Sequence, residues 1–211
     1  MAVDGQLYPV NLRVDGRSCL VVGGGPVAAG KVQGLVEAGA SVDVVAPRSV
    51  DELRGRDDVG LIERAYEPDD LDGRWLVITA TDDPEVNARV AADATERGLW
   101  VNSADDPENC SFTLPARVRR GDLLIAVSTG GRSPAMASWV KRWLDGQLGP
   151  EHETLLEVLA EVREELRADG VSTESLDWRS AVDSGTLELI RQDHVREAKE
   201  RLQACLLSSS G

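Results

Sequence analysis

The chain has 211 residues, enough for one α/β domain and a smaller appendage. With 37 acidic against 23 basic residues it carries a net charge of −14, which argues against general affinity for nucleic acid or anionic membranes. No apolar run reaches the roughly 18 residues needed to span a bilayer, and the first residues lack a basic stretch followed by an apolar core, so a cytoplasmic location is expected. Of the basic residues only Lys31, Lys141 and Lys199 are lysines. Such an acidic, lysine-poor composition is similar to that of proteins from salt-accumulating organisms, where a Debye length of about 3 Å at 1 M salt screens self-repulsion. Cys19, Cys110 and Cys205 are too few and too scattered for a disulfide framework or a zinc site, so packing roles and no resident metal are expected.

Along the chain, residues 7–14 form a short strand candidate, and Asp15-Gly16 turns into the first core strand, residues 18–22. A helix is predicted over 27–38, with Val27, Val32, Leu35 and Val36 spaced for a buried face and Gly39 as its stop. Residues 41–46 read as a second strand closed by Pro47, residues 61–64 as a third and residues 75–79 as a fourth. Asp82-Asp83-Pro84 then begins a helix that ends near Gly98, and residues 99–102 form a fifth strand. This alternation predicts a Rossmann-like, doubly wound parallel sheet of the α/β class, with ligands at the carboxyl ends of the strands.

Past Asn109 the pattern changes. Residues 111–119 and 123–128 look like paired strands around Arg120-Gly121-Asp122, and a glycine loop leads into a helix over 135–147. Gly149-Pro150 marks a linker. Leu155, Leu156, Leu159, Val162 and Leu166 then repeat at helical spacing, and residues 186–207 read as a second amphipathic helix. His152 and His194 are isolated and read as surface or helix residues. Residues 208–211 are expected to fray.

Chemistry concentrates at the first strand's end. In Gly23-Gly24-Gly25-Pro26-Val27-Ala28, the residues Gly23, Gly25 and Ala28 fill the three small-residue positions of a dinucleotide fingerprint. Pro26 suits a first helical position, and the helix start offers free N–H groups to phosphates; the bland alternative is a glycine-rich turn of any α/β protein. No acid stands at the tip of the second strand, where a ribose-binding carboxylate is usual. Asp43 lies inside that strand, and Arg48 suits either a 2′-phosphate or a solvated loop. Asp82 and Asp83 read as helix caps or functional groups. Asp105 and Asp106 read as an Asp-Pro turn or as a carboxylate placed for proton transfer beside a nicotinamide.

Taken together these residues resemble the siroheme synthase amino-terminal family, whose members are precorrin-2 dehydrogenases, some also acting as sirohydrochlorin ferrochelatases. The likeness runs through residues 21–28 with Lys31, then Val44-Val45-Ala46-Pro47, Thr79-Ala80-Thr81-Asp82-Asp83 and Val101-Asn102. It continues in order through Asp105-Asp106-Pro107, Cys110-Ser111-Phe112, Pro115 and residues 128–134. It covers about residues 7–148; the tail is similar only in being a small helical domain. Pro26 departs from the acidic or polar residue usual there, and Thr129 keeps the hydroxyl of the serine found in some bifunctional relatives.

The resemblance implies that NAD lies among Gly23, Gly24, Gly25, Pro26, Val27, Pro47, Arg48, Thr79, Ala80 and Thr81, even though the second strand ends in Ala-Pro. It places the family's essential aspartate at Asp105, as a base or as a group orienting the macrocycle. It implies a tetrapyrrole substrate with eight carboxylates, for which Ser128, Thr129, Gly130, Gly131, Arg132, Ser133, Arg117 and Arg120 are the candidate contacts. Arg119, Lys141 and Arg142 add to the same basic concentration. The expected divisions are a nucleotide-binding domain at 1–110, a dimerisation segment at 111–148 that makes a homodimer, a helical domain at 149–207, and the tail 208–211. Two competitors accompany the dehydrogenase: a bifunctional enzyme that also inserts Fe²⁺ or Co²⁺ as co-substrate, and a non-enzymatic NAD-sensing domain.

Overall fold

The computed structural model describes residues 6–104 and 106–208. Five parallel strands form one sheet: β1 (Ser18–Val22), β2 (Ser41–Val45), β3 (Val59–Ile62), β4 (Leu76–Thr79) and β5 (Trp100–Ser103), in the spatial order β3-β2-β1-β4-β5. The chain steps outward from β1 to β3, then returns to the other side of β1 to place β4, so the strand order reverses between β1 and β4. Side-chain alternation along the strands supplies both faces. Cys19, Val21, Val42, Val44, Leu76 and Ile78 pack against Ala28, Ala29, Val32 and Leu35 of α1 (Pro26–Val36). Leu20, Val22, Val45, Val77 and Val101 pack against Val90, Ala91 and Ala94 of α3 (Pro84–Glu96), the helix after the single turn of α2 (Asp51–Arg54). A sheet buried on both faces explains the near-continuous apolar run of β1. Cys19 is fully buried, and burial pushes its thiol pKa up to about 11, so it packs as a neutral group.

Three sequence expectations are corrected here. Residues 7–14 form no strand: Tyr8 and Val10 are exposed, Pro9 removes a ladder donor, and only Val14 is buried in the core, with Leu12 packed against it. Val27 is 54% exposed rather than buried, because the first turn of α1 stands over open space and the buried face begins at Ala28. The third strand lies two residues earlier than expected, since Arg64 leaves the sheet to hold Asp70 with two hydrogen bonds of 2.8 and 2.5 Å.

By compactness the chain divides into two units, the first being Met1–Leu114 with Gly130–Ser133 and the second Pro115–Thr129 with Pro134–Gly211. Within the second unit, β6 (Ala116–Arg120) pairs antiparallel with β7 (Leu123–Val127), and α4 (Pro134–Gln147) packs on this hairpin. The helices α5 (Glu151–Ala168), α6 (Trp178–Val182), α7 (Thr186–Arg191) and α8 (Val195–Ser208) follow. They close over Val158, Val162, Leu166, Leu202 and Leu206. The single helix expected over 186–207 is two. Asp193 takes a left-handed φ of 63°, and the amides of Asp193 and His194 bond back to Ile190 and Leu189. This is a Schellman stop, a geometry that periodicity alone does not reveal.

Candidate functional site

A cleft of about 830 Å³ opens at the carboxyl ends of β1 and β4, where the strand order reverses. In open α/β sheets this is the place where ligands bind. Its floor is the turn Gly23–Gly25 and the first turn of α1, Pro26 and Val27. Gly23 has φ 131°, and a Cβ there would run into the Ala80 carbonyl after β4. A Cβ on Gly24 would run into the Arg48 carbonyl after β2, and the Val50 amide donates to the Gly24 carbonyl at 2.8 Å. Gly25 differs, because nothing lies within 4 Å of where its Cβ would be. Two glycines thus let three strand ends close on one another, while the third leaves room for a ligand. No side chain caps α1 and its first turn holds no acid, so its leading amides are available to an anion.

The wall after β4 is fixed by Asn87 of α3, which the sequence reading missed. Its Oδ1 accepts from Thr79 Oγ1 at 2.5 Å, from Thr81 Oγ1 at 2.8 Å and from the Thr81 amide at 3.1 Å. Its Nδ2 donates to the Thr81 carbonyl at 3.0 Å. Ala80 and Thr81 line the cleft, whereas Thr79 is fully buried behind them and acts through Asn87. The available signal was a polar residue at core spacing with Val90, Ala91 and Ala94. Asp83 caps α3, accepting from the amides of Glu85 and Val86 at 2.9 and 3.3 Å.

The wall after β2 carries Pro47 and Arg48, as expected, together with Ser49. Asp43 is not among the lining residues; its carboxylate is held by Arg74 at 2.5 Å. Tyr66 and Arg89 also line the cleft and had no sequence signal. The Tyr66 hydroxyl donates to Asp93 at 2.9 Å, the Arg89 guanidinium stands 5.4 Å over its ring, and burial raises the phenol's pKa well above its ordinary value.

Asp105 lies outside the described residues. The segment around it is tied to β5: Asn102 Nδ2 donates to the Phe112 carbonyl at 2.9 Å, and the Ser103 amide donates to Cys110 Sγ at 3.1 Å. Burial raises the Cys110 thiol pKa, so it stays protonated and donates to the Asp106 carbonyl at 3.2 Å. The remaining candidates are divided between the units, with Arg117, Arg120, Ser128 and Thr129 in the second and Gly130–Ser133 in the first. Gly130 and Gly131 take φ of 60° and 74°, a sharp turn before α4 that leaves Arg132 exposed. Arg120 is committed elsewhere. It donates to the carbonyls of Leu148 at 2.7 Å, Asp145 at 3.2 Å and Arg119 at 2.8 Å, and to the Asp145 carboxylate at 2.9 Å. It therefore seals the carboxyl end of α4, where a cation complements the helix dipole. Among the described residues, no group of three or more His, Cys, Asp or Glu is placed to hold a metal ion, and no helix is long and apolar enough to cross a membrane.

A parallel sheet with a glycine turn, an uncapped helix start and an open third glycine at the switch point defines a dinucleotide-binding protein of the Rossmann class. Comparison with known proteins narrows the class. Residues 10–116 match the NAD(P)-binding family model, and residues 120–147 match the Sirohaem biosynthesis protein central family. The chain is 37% identical to the siroheme synthase of Thioalkalivibrio sulfidiphilus over 202 residues, covering 92% of this chain and 41% of that protein. It is 35% identical to that of Nitrosococcus oceani over 206 residues, covering 95% and 44%. Among solved structures it is similar to SirC, precorrin-2 dehydrogenase, with a TM-score of 0.73 and 26% identity, covering 94% of this chain and 100% of that one. The chain belongs to the siroheme synthase amino-terminal family, and it spans less than half the length of the siroheme synthases it matches.

Proposed function

We propose that this chain is an NAD⁺-dependent dehydrogenase that converts precorrin-2 to sirohydrochlorin. The observation that carries the reading is the cradle at Gly23–Gly25, in a chain similar to SirC, precorrin-2 dehydrogenase, along that protein's whole length. The residues fit a dinucleotide: Gly25 leaves open space and the leading amides of α1 face it. NAD⁺ held there by the Gly23–Gly25 turn and the start of α1 would supply the hydride acceptor for a ring carbon of the substrate. The proton lost with it needs a base, and Asp105 is the proposed group, following a strand end as such bases do. Thr79 and Asn87 tie down the Ala80-Thr81 wall, which would limit the loop reordering needed when a dinucleotide binds.

Of the basic candidates, Arg132 is the proposed substrate contact, because it is exposed on the glycine turn while Arg120 seals α4. Arg117 and the hydroxyls of Ser128, Thr129 and Ser133 remain proposed contacts for the other carboxylates. The proposed assembly is a cytoplasmic homodimer formed through 111–148. Met136, Trp139 and Trp143 recur at i, i+3 and i+7 along α4, and the two tryptophans are 55% and 56% exposed. Large aromatics on one helix face are common in subunit contacts.

The test is an anaerobic reaction with precorrin-2 that follows NADH and the sirohydrochlorin spectrum together. Asp105→Asn is expected to lower turnover at least about 100-fold, with NAD⁺ affinity changed less than about threefold. Near-normal turnover in that variant removes Asp105 from the chemistry, and NAD⁺ binding without any turnover favours the sensor. The same preparation given sirohydrochlorin and Co²⁺ without NAD⁺ tests metal insertion. Insertion no faster than the uncatalysed control limits the chain to dehydrogenation.

A further inference from the structure

A polar patch lies at the carboxyl end of β5, on the face of the sheet that α1 covers. Asn102 pairs in register with Ile78, whose side chain packs with the buried residues of α1, so Asn102 emerges on the α1 face. Ala104 and Phe112 pack on that same face, and Ala104 also lines the cleft. Lys31 stands on α1 beside buried Val32, one turn after buried Ala28 and one turn before buried Leu35, at the margin of the packed stripe. Burial is the main cause of the raised Cys110 pKa; among the smaller influences the Asp106 carboxylate adds to it and the Lys31 ammonium opposes it. Lys31 therefore lies close to the loop that follows β5.

Burial sets Lys31 apart from the other cations of this compact unit. Arg13, Arg17, Arg48, Arg89 and Arg132 are exposed, and water solvates an exposed cation without a carboxylate. Lys31, Arg56 and Arg74 are half-buried. Asp58 and Gln33 hold Arg56, and Asp43 and Ser18 hold Arg74. Lys31 has no ion pair or side-chain hydrogen bond among the described residues. The Asp106 carboxylate accepts from Asn109 Nδ2 at 2.6 Å and forms no ion pair with Lys31. A partly desolvated ammonium is costly until an anion joins it.

Asn102 supplies an independent observation. It is 7% exposed, and its Nδ2 is used on the Phe112 carbonyl, but its Oδ1 accepts nothing among the described residues. Among those residues the sealed side-chain atoms without a partner are the Ser49 and Ser103 hydroxyls, so Asn102 Oδ1 keeps a path to solvent. A free cation and an open acceptor at one strand end fit a ligand that carries both carboxylates and ring N–H groups.

We infer that Lys31 binds a carboxylate of the tetrapyrrole substrate at the β5 end of the cleft and so orients the macrocycle on the side of the strand that leads to Asp105. The assignment rests on the proposed reaction and concerns the substrate, not the dinucleotide.

The test uses the full chain with two substitutions. Lys31→Met keeps the length of the packed stem and removes the charge, whereas Lys31→Arg keeps the charge. In the anaerobic assay Lys31→Met is expected to raise the KM for precorrin-2 at least about tenfold, with kcat changed less than about threefold. Sirohydrochlorin binding without NAD⁺, read by quenching of tryptophan fluorescence, should weaken by a similar factor and lose part of its salt dependence. Lys31→Arg should return both values to within about threefold of the wild type, and NAD⁺ affinity and the thermal midpoint should stay unchanged in both variants. An unchanged KM in a folded Lys31→Met protein overturns the inference. So does a loss confined to kcat, which would make Lys31 act on the neighbouring acids, or an equal loss of NAD⁺ affinity. A wild-type protein that neither binds sirohydrochlorin nor turns over precorrin-2 overturns the proposed reaction as well, whereas wild-type turnover matched by Lys31→Met overturns the role of Lys31 alone.

Discussion

Gly23 and Gly25 stand two residues apart in one turn, yet the structure assigns them opposite sensitivities to a single methyl group. Gly23 has φ 131°, and a Cβ there meets the Ala80 carbonyl, which is backbone held just after β4 by the Ala80 amide's 2.8 Å bond to Val22. Gly23→Ala combines backbone strain of about 1–3 kcal/mol with overpacking of about 1–3 kcal/mol. A loss of about 2–6 kcal/mol is a large part of the 5–15 kcal/mol typical of a whole domain. Gly25 sits at φ −85° and ψ 179°, ordinary extended backbone, with open space at its Cβ position. Gly25→Ala is therefore expected to leave stability unchanged or to raise it by about 0.4–1 kcal/mol through the unfolded chain. On the proposed dinucleotide reading, the same methyl fills the open space beside the leading amides of α1 that a pyrophosphate would need. Forfeiting one charge-assisted hydrogen bond, worth about 1.5–3 kcal/mol, weakens NAD⁺ by roughly 10- to 150-fold. Urea denaturation and NAD⁺ titration of both variants read these effects separately. Wild-type NAD⁺ affinity in a folded Gly25→Ala protein, or equal destabilisation by both substitutions, refutes the reasoning.

The Asp70 carboxylate is held below the usual range mainly by its hydrogen bonds to Arg64, helped by the Glu67 amide at 2.9 Å. Its folded pKa lies below its unfolded one, so its stabilisation is complete above the ordinary carboxylate value of about 3.9 and drains away as pH falls through the folded value. Asp70→Asn should thus separate from the wild type in urea midpoint at pH 7, and the gap should narrow only as pH falls below the ordinary carboxylate range toward the folded value; a gap independent of pH would contradict this account. For the assembly, the double substitution Trp139→Glu/Trp143→Glu should convert the proposed homodimer to monomers in sedimentation velocity while the thermal transition of the sheet unit persists. A dimer that survives it places the interface elsewhere.

The order of elements was legible because burial on both sheet faces writes itself as short apolar runs separated by helical spacing and glycine or proline stops. The glycine fingerprint and the tips at Pro47, Arg48, Ala80 and Thr81 came with it, since each directly follows a strand. Asn87, Tyr66 and Arg89 were not legible, because helix and loop residues reach the cleft only after the chain has returned to β4. The partners of Thr79 and Arg120 were hidden for the same reason. A hydroxyl at a strand end and an arginine in a basic cluster look functional until packing turns one toward Asn87 and the other onto the end of α4. The break at Asp193 escaped because apolar spacing carries no record of a left-handed residue.

Local sequence therefore determined the strand and helix signals, the sheet type and the glycine turn after β1, all of which depend on residues near one another in the chain. Tertiary structure alone decided what each polar side chain faces. It tied Asp43 to Arg74, left Arg48 without a carboxylate and stranded the Ser49 hydroxyl in the cleft wall. Hydrogen bonds and ion pairs are settled by distances of a few ångströms between residues far apart in sequence, and only the folded chain fixes those distances.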